Sequence, residues 1–272
     1  MFHNLAQLPR YRGLVQSLVA RELKARYRGS VLGFFWSFVN PLLLLLVYSI
    51  VFAYIMPAQF TGGTQPKPFS DAYPYPVFLF CGLLPWTWFA ASLTESAGVL
   101  ISGGNLIKKV LFPAEVLPIV SALANMVHFF LGLPILALFL IYSRAPITFG
   151  ELVWFPVIVL VQLILTTALA LLLAALTVHF RDIRDILANV LTLWYFATPI
   201  IYPWQHAPDL GKGFLNLNPF THLAISYQEV LFFSGPFGHW RWLLALGGFS
   251  IGLFLFAYFV FDRLRDTFAE EV

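Results

Sequence analysis

Apolar residues in this chain come in long unbroken stretches separated by short polar turns, and the longest uncharged run extends from Gly29 to Pro66. A helix needs about 20 apolar residues to cross a hydrocarbon core of roughly 30 Å, so each stretch of that length reads as a membrane span. The pattern predicts six spans, at residues 33 to 56, 77 to 101, 114 to 142, 151 to 178, 185 to 203 and 240 to 261. Backbone groups find no water inside a bilayer, so a span is either a helix or a strand of a closed barrel, and continuous apolar runs exclude the alternation that a barrel requires. The expected fold is an all-α integral membrane protein with six transmembrane helices. It is read as a single domain over 1–272, with an amphipathic cytoplasmic segment at 1–32, the membrane domain at 33–261 and a cytoplasmic tail at 262–272.

The polar connections carry their own signals. Ahead of the first span, Leu14, Val15, Leu18, Val19 and Leu23 share one side of a helical wheel while Arg10, Arg21, Lys24 and Arg28 gather opposite. That is the pattern of a helix lying along the membrane surface. Glu22 and Arg26 interrupt its apolar face near the end, which fits a helix that also touches a cytoplasmic protein; a plain interfacial anchor is the alternative. No apolar stretch precedes these charges, so the segment is not read as a cleaved signal peptide. Between spans 1 and 2, Pro57, Gly62, Gly63, Pro66, Pro68, Pro74 and Pro76 forbid a helix and mark an irregular external loop. Between spans 5 and 6, Asn218 followed by Pro219 is an N-cap and first-turn proline opening an apolar run through Phe233. Such a run is too short to span, and a re-entrant or interfacial helix pair on the outer side is expected, with a surface loop helix as the alternative.

Composition sharpens the class. Hydrophobic residues make up 60% of the chain and charged residues 11%, about half the soluble norm, which excludes a single water-soluble core. The net charge of +3 records which loops face the cytoplasm and carries no nucleic-acid function. Twelve Lys and Arg residues fall on the N-terminal segment, the even-to-odd connections and the tail, against three or four on the other side, so both termini are expected in the cytoplasm. The single cysteine, Cys81, reads as a small packing residue. Ionisable groups inside spans are costly and few. Glu95 is expected to face a dimer interface or a pathway, Glu115 to sit at the inner interface, His128 to be a neutral imidazole bonded to a neighbouring helix, and Glu229 to hold the outer helices in place.

The segment RELKARYRGSVLGFFWSFVNPLLLLLVYSIVF at 21–52 resembles the opening of the ABC-2 type export permeases, above all those that move lipid-linked O-antigen, capsule or teichoic acid. The stretches LFCGLLPWTWFAASL at 79–93, NLIKKVLFP at 105–113, HFRDIRDI at 179–186 and LNPFTHLAISYQEVLF at 217–232 lie where that family carries its recurring motifs. The resemblance implies a homodimeric permease of a bacterial inner membrane, working with two copies of a cytoplasmic ABC ATPase on a lipid-linked polysaccharide. No P-loop pattern occurs in the chain, so ATP and Mg belong to the partner and no cofactor is expected here. By the same resemblance Asn105, Leu106, Ile107, Lys108, Lys109, Val110, Leu111 and Phe112 form the coupling helix. Arg181 and Asp182, with Arg184 and Asp185, are either inner-gate and ATPase contacts or a solvated turn with weak ion pairs. Asn218, Pro219 and Glu229 are outer-gate candidates.

Aromatic residues reach 18%, and rings stack on sugar faces with little dependence on the hydrogen-bonding pattern of the sugar. Phe34, Phe35, Trp36 and Phe38, then Trp86, Trp88 and Phe89, then Trp194, Tyr195 and Phe196 are the substrate-path candidates. Other readings are weaker: a membrane glycosyltransferase lacks an acidic or metal-ligand cluster outside the membrane, an exporter of small lipids or drugs does not need so many aromatics, and a channel stands or falls on whether an ATPase binds.

Overall fold

A computed structural model of the protein describes residues 11–51, 75–104, 113–142, 149–204 and 209–271. All regular structure among them is helical. In chain order the helices are α1 (Arg12–Arg26), α2 (Trp36–Ile50), α3 (Tyr75–Ser102), α4 (Val116–Tyr142), α5 (Phe155–His179), α6 (Asp182–Phe196), α7 (Asp209–Leu217), α8 (Pro219–Leu231) and α9 (Trp240–Glu271). Short 3₁₀ turns precede α2 at Gly33–Phe35 and α5 at Phe149–Trp154.

Four of these helices are long and apolar enough to cross a bilayer: Tyr75–Ser102, Val116–Tyr142, Gly150–His179 and Trp240–Phe268. The other two expected spans are shorter in the described residues. α2 covers 15 residues, and so does α6. A 15-residue helix is about 22 Å long. α6 stops at Phe196, seven residues before the expected end of span 5, because Pro199 lacks the amide that would continue the ladder and the chain folds into tight turns through Tyr202. α9 departs the other way. It is 32 residues long, about 48 Å, so residues 262–271 extend the last span as helix.

The centre of the bundle is α3. It packs on α4, α5, α6 and α8, and its buried side chains run from Pro76 to Leu100. It contains Pro85, whose carbonyl accepts Nε2–H of the fully buried Gln162 on α5 at 2.8 Å. α9 lies along α5, and α1 along α4. Between α1 and α2 the chain turns through Gly29 at φ +80° and Gly33 at φ +50°, a left-handed conformation that a β-carbon would strain. This corner takes the chain from α1 into α2.

Candidate functional site

The amphipathic pattern of α1 is realised against the protein's own bundle. Leu18 is buried with Val116 and Val120 of α4, Leu14, Val15 and Val19 pack around them, and Arg21, Lys24 and Arg28 are exposed. Val116 and Val120 stand one turn apart at the start of α4, so together they form a ridge for the α1 stripe.

The end of α1 is then locked by polar bonds. Arg26 donates Nη2–H to both oxygens of Glu95 on α3 at 2.6 Å, and Nη1–H to Asn125 Oδ1 on α4 at 2.9 Å. Asn125 closes the ring by donating Nδ2–H to Glu95 Oε2 at 2.7 Å. Glu22, one turn back on α1, stands 3.8 Å from the Arg26 guanidinium. Next in the chain, the Tyr27 hydroxyl meets Ser37 Oγ at 2.6 Å and His128 Nδ1 at 3.3 Å. Glu95 therefore faces α1 and α4 of the same chain, and the partner of His128 is the corner after α1. Asn125 and His128 were the residues not singled out together from sequence; their spacing of three on one apolar helix places them on a common face, which was the available signal. Beside this network lies a cavity of about 350 Å³, with Arg26, Tyr27, Ser37, Asn125 and His128 on its polar wall and Trp36, Phe80, Trp88 and Phe129 on its apolar one.

The same end of the bundle receives the last turns of α9. Arg265 reaches Glu115 at 3.9 Å, His179 Nε2 lies 3.0 Å from Thr267 Oγ1, and Phe268 is fully buried against Phe261. Glu115 is buried at the start of α4, immediately after the 105–112 segment. That segment, Asn105 to Phe112, lies outside the described residues. Arg181 and Asp182 are exposed at the start of α6, where Asp182 and Asp185 stand in the first turn and suit the positive end of the helix dipole. Basic residues of α1, α6 and α9 thus collect at one end.

The aromatic candidates divide. Trp86, Trp88 and Phe89 are buried inside the bundle, Phe35 and Phe196 are exposed, and Trp36, Phe38, Trp194 and Tyr195 are half-buried; the side chain of Phe34 lies outside the described residues. Around Phe220, which sequence reasoning passed over, the fold gathers Trp86 at 4.9 Å, Phe89 at 4.8 Å and, against Phe89, Trp194 at 5.2 Å between ring centroids. Asn218 organises this junction, which meets α3 midway along its length. Its Oδ1 accepts from the Phe220 amide at 3.0 Å and from Trp194 Nε1 at 2.7 Å, while Nδ2 donates to Thr198 Oγ1 at 2.9 Å and to the Ala197 carbonyl at 3.2 Å. One side chain caps α8 and ties it to the end of α6. Glu229, at the other end of α8, accepts the amides of Gly238 and His239 at 3.1 and 3.0 Å. Burial pushes its carboxyl above the ordinary range against the pull of those two amides.

The fold and this site define a polytopic helical membrane protein whose first helix packs on α4 and is tied to the central span α3. Residues 13–232 match the model of the ABC-2 type transporter family, and the chain belongs to that family. It is 41% identical, over all of both chains, to an O-antigen export system permease protein RfbA of Myxococcus xanthus. A protein of the same name from Klebsiella pneumoniae is 30% identical over 94% of each chain. The polysialic acid transport protein KpsM of Escherichia coli is 24% identical over 80% of each.

Proposed function

We propose that this chain is the permease subunit of an ATP-driven exporter that moves a lipid-linked polysaccharide of O-antigen type across the inner membrane of a bacterium. The observation that carries the reading is the 41% identity, over the full length of both chains, to an O-antigen export permease. The relative named for polysialic acid favours capsule export as the second reading, at lower identity and coverage.

In this reading α2 and α6 complete the six spans, both termini are cytoplasmic, and α7 and α8 are the re-entrant helices of the outer face. Two copies of the chain enclose the path. α2 and α6 suit that role because their outer faces are apolar and open in the protomer, through Leu42, Leu43, Leu46 and Val47 on one and Ile186, Val190, Leu193 and Phe196 on the other. Each copy works with a cytoplasmic ABC ATPase, which holds ATP and Mg. Its stroke is received by the 105–112 segment and by α1, with Arg181 and Asp182 beside them. The Arg26, Glu95 and Asn125 ring then transmits the displacement of α1 rigidly to α3 and α4, because short charge-assisted bonds resist shear better than the Leu18 contact alone. The lipid-borne polymer enters sideways near the cytoplasmic leaflet and leaves past α7 and α8. Exposed Phe35 and Phe196 are placed to meet it, whereas Trp88 and Phe89 reach it only if the bundle opens.

Purification from the native membrane in mild detergent, followed by mass spectrometry, tests the reading. An ATPase with a P-loop at one-to-one stoichiometry is expected, together with intracellular accumulation of lipid-linked polymer when the gene is deleted. Absence of both overturns it.

A further inference from the structure

At the α8 end of the bundle a second cavity, of about 280 Å³, opens between α8, the 232–239 loop and the start of α9. Trp204 and Trp242 supply ring faces, Phe233 adds a third aromatic, and Gln228, Glu229 and His239 supply polar groups.

Hydrogen bonding fixes what those polar groups offer. His222 Nε2 lies 3.0 Å from the Asn216 carbonyl, which only accepts, so that nitrogen carries the proton and His222 Nδ1 is an acceptor. His239 Nε2 lies 2.9 Å from His222 Nδ1 and must therefore be the donor, leaving His239 Nδ1 as an acceptor. Glu229 holds the loop amides through Oε2 and keeps Oε1 beyond them. Gln228 spends its Nε2–H on the Pro199 carbonyl at 2.9 Å, so its oxygen is an acceptor too. The pair is rigid. His222 stacks on Trp242 with centroids 4.9 Å apart and planes 6° from parallel.

Three acceptors beside indole faces suit a neutral ligand with several hydroxyl donors and an apolar ring face. No Lys or Arg lines the cavity among the described residues, so a phosphate headgroup would meet a carboxylate with no countercharge. We propose that this cleft binds a sugar ring, with Trp204 stacking on its C–H face and Glu229, Gln228 and His239 accepting its hydroxyls. On the export reading, which the inference uses only for the origin of the sugar, the ring belongs to polymer that has just crossed, and the cleft hinders its return.

The test needs no ATPase. The protein is placed in nanodiscs of phosphatidylcholine and phosphatidylglycerol, and saturation-transfer NMR is recorded with methyl glycosides of the gluco, galacto, manno and rhamno series. Transfer to at least one glycoside is expected, weakened about tenfold by Trp204→Ala or Glu229→Gln and within about threefold of wild type for Trp204→Phe. Glu229→Gln retains an oxygen for the loop amides, so an unchanged melting temperature separates lost binding from lost folding. No transfer to any glycoside, transfer indifferent to both variants, or quenching of the cleft tryptophans by brominated phospholipid that the sugars do not relieve overturns the proposal. Sugar binding with neither a co-purifying ATPase nor polymer accumulation in the deletion strain would sink the export reading and leave the site standing; an intact exporter without sugar binding would do the reverse.

Discussion

The two spans at the extremes of the bundle invert a rule learned from soluble proteins. α3 is the least apolar of the four long spans and the most buried, with 78% of its spanning stretch inside the bundle, whereas the more apolar α9 has 33%. In water, apolarity marks the core. In a bilayer lipid and bundle interior are both apolar, so apolarity does not order burial: α5, the most apolar of the four, is 61% buried, and α3 stands out by carrying polar groups that the bundle interior can pair. Ser92 on α3 is fully buried and donates to the Trp88 carbonyl at 2.7 Å, and Glu95 finds Arg26 and Asn125.

The comparison is broken most severely by truncating one aromatic on each span. Phe89 is fully buried among Trp86, Trp194 and Phe220, so Phe89→Ala is expected to cost about 3–5 kcal/mol, while Phe256→Ala on the exposed face of α9 costs less than about 1 kcal/mol. Unfolding of purified protein in detergent, followed by thermal or denaturant titration, measures both; equal losses would mean that the exposed face of α9 is covered by a partner.

A smaller effect is expected from the polar ring. Arg26→Ala strands a carboxylate that is already two-thirds removed from solvent, and Glu95→Ala strands the guanidinium, each at about 1–3 kcal/mol. The double variant should recover part of the sum, because neither stranded group remains. Transport should fall in all three while the ATPase still binds; additive losses would show that the two residues do not act together.

The smallest change is a pH effect at the far end of α8. His239 sits outside the spans, and burial with the neighbouring His222 lowers its pKa to about 4. The unfolded chain then binds a proton near pH 6.5 that the folded one refuses, so this group's contribution is complete above about pH 6.5 and is lost as pH falls toward 4. Glu229, whose folded pKa is raised, works in the opposite sense: its contribution is complete below the unfolded value near 4.5 and fades as pH rises through the raised one. Melting of wild type against His239→Asn isolates the imidazole, and the gap between the two should narrow from pH 7 to pH 5. A gap independent of pH would remove the His222–His239 bond from the explanation.

Much of this was legible in the residues. Unbroken apolar runs determine helices, because a bilayer leaves the backbone no other partner, and the dipeptide Asn218–Pro219 announces the start of α8 by chemistry that acts within one turn. The stripe of Leu14, Val15, Leu18 and Val19 announced an amphipathic α1. What periodicity cannot say is which surface such a stripe meets, since lipid and a protein ridge are equally apolar; only the fold set it on Val116 and Val120. For the same reason the sequence placed aromatics in spans without sorting Trp88 and Phe89, which are core, from Phe35 and Phe196, which are open. Long-range pairing was decided by tertiary structure alone. Arg26 to Glu95 spans 69 residues and Glu95 to Asn125 spans 30, and no local preference encodes a bond between helices. The sequence determined where each polar group had to be paid for by a partner; the packing of α1, α3 and α4 decided which partner it found.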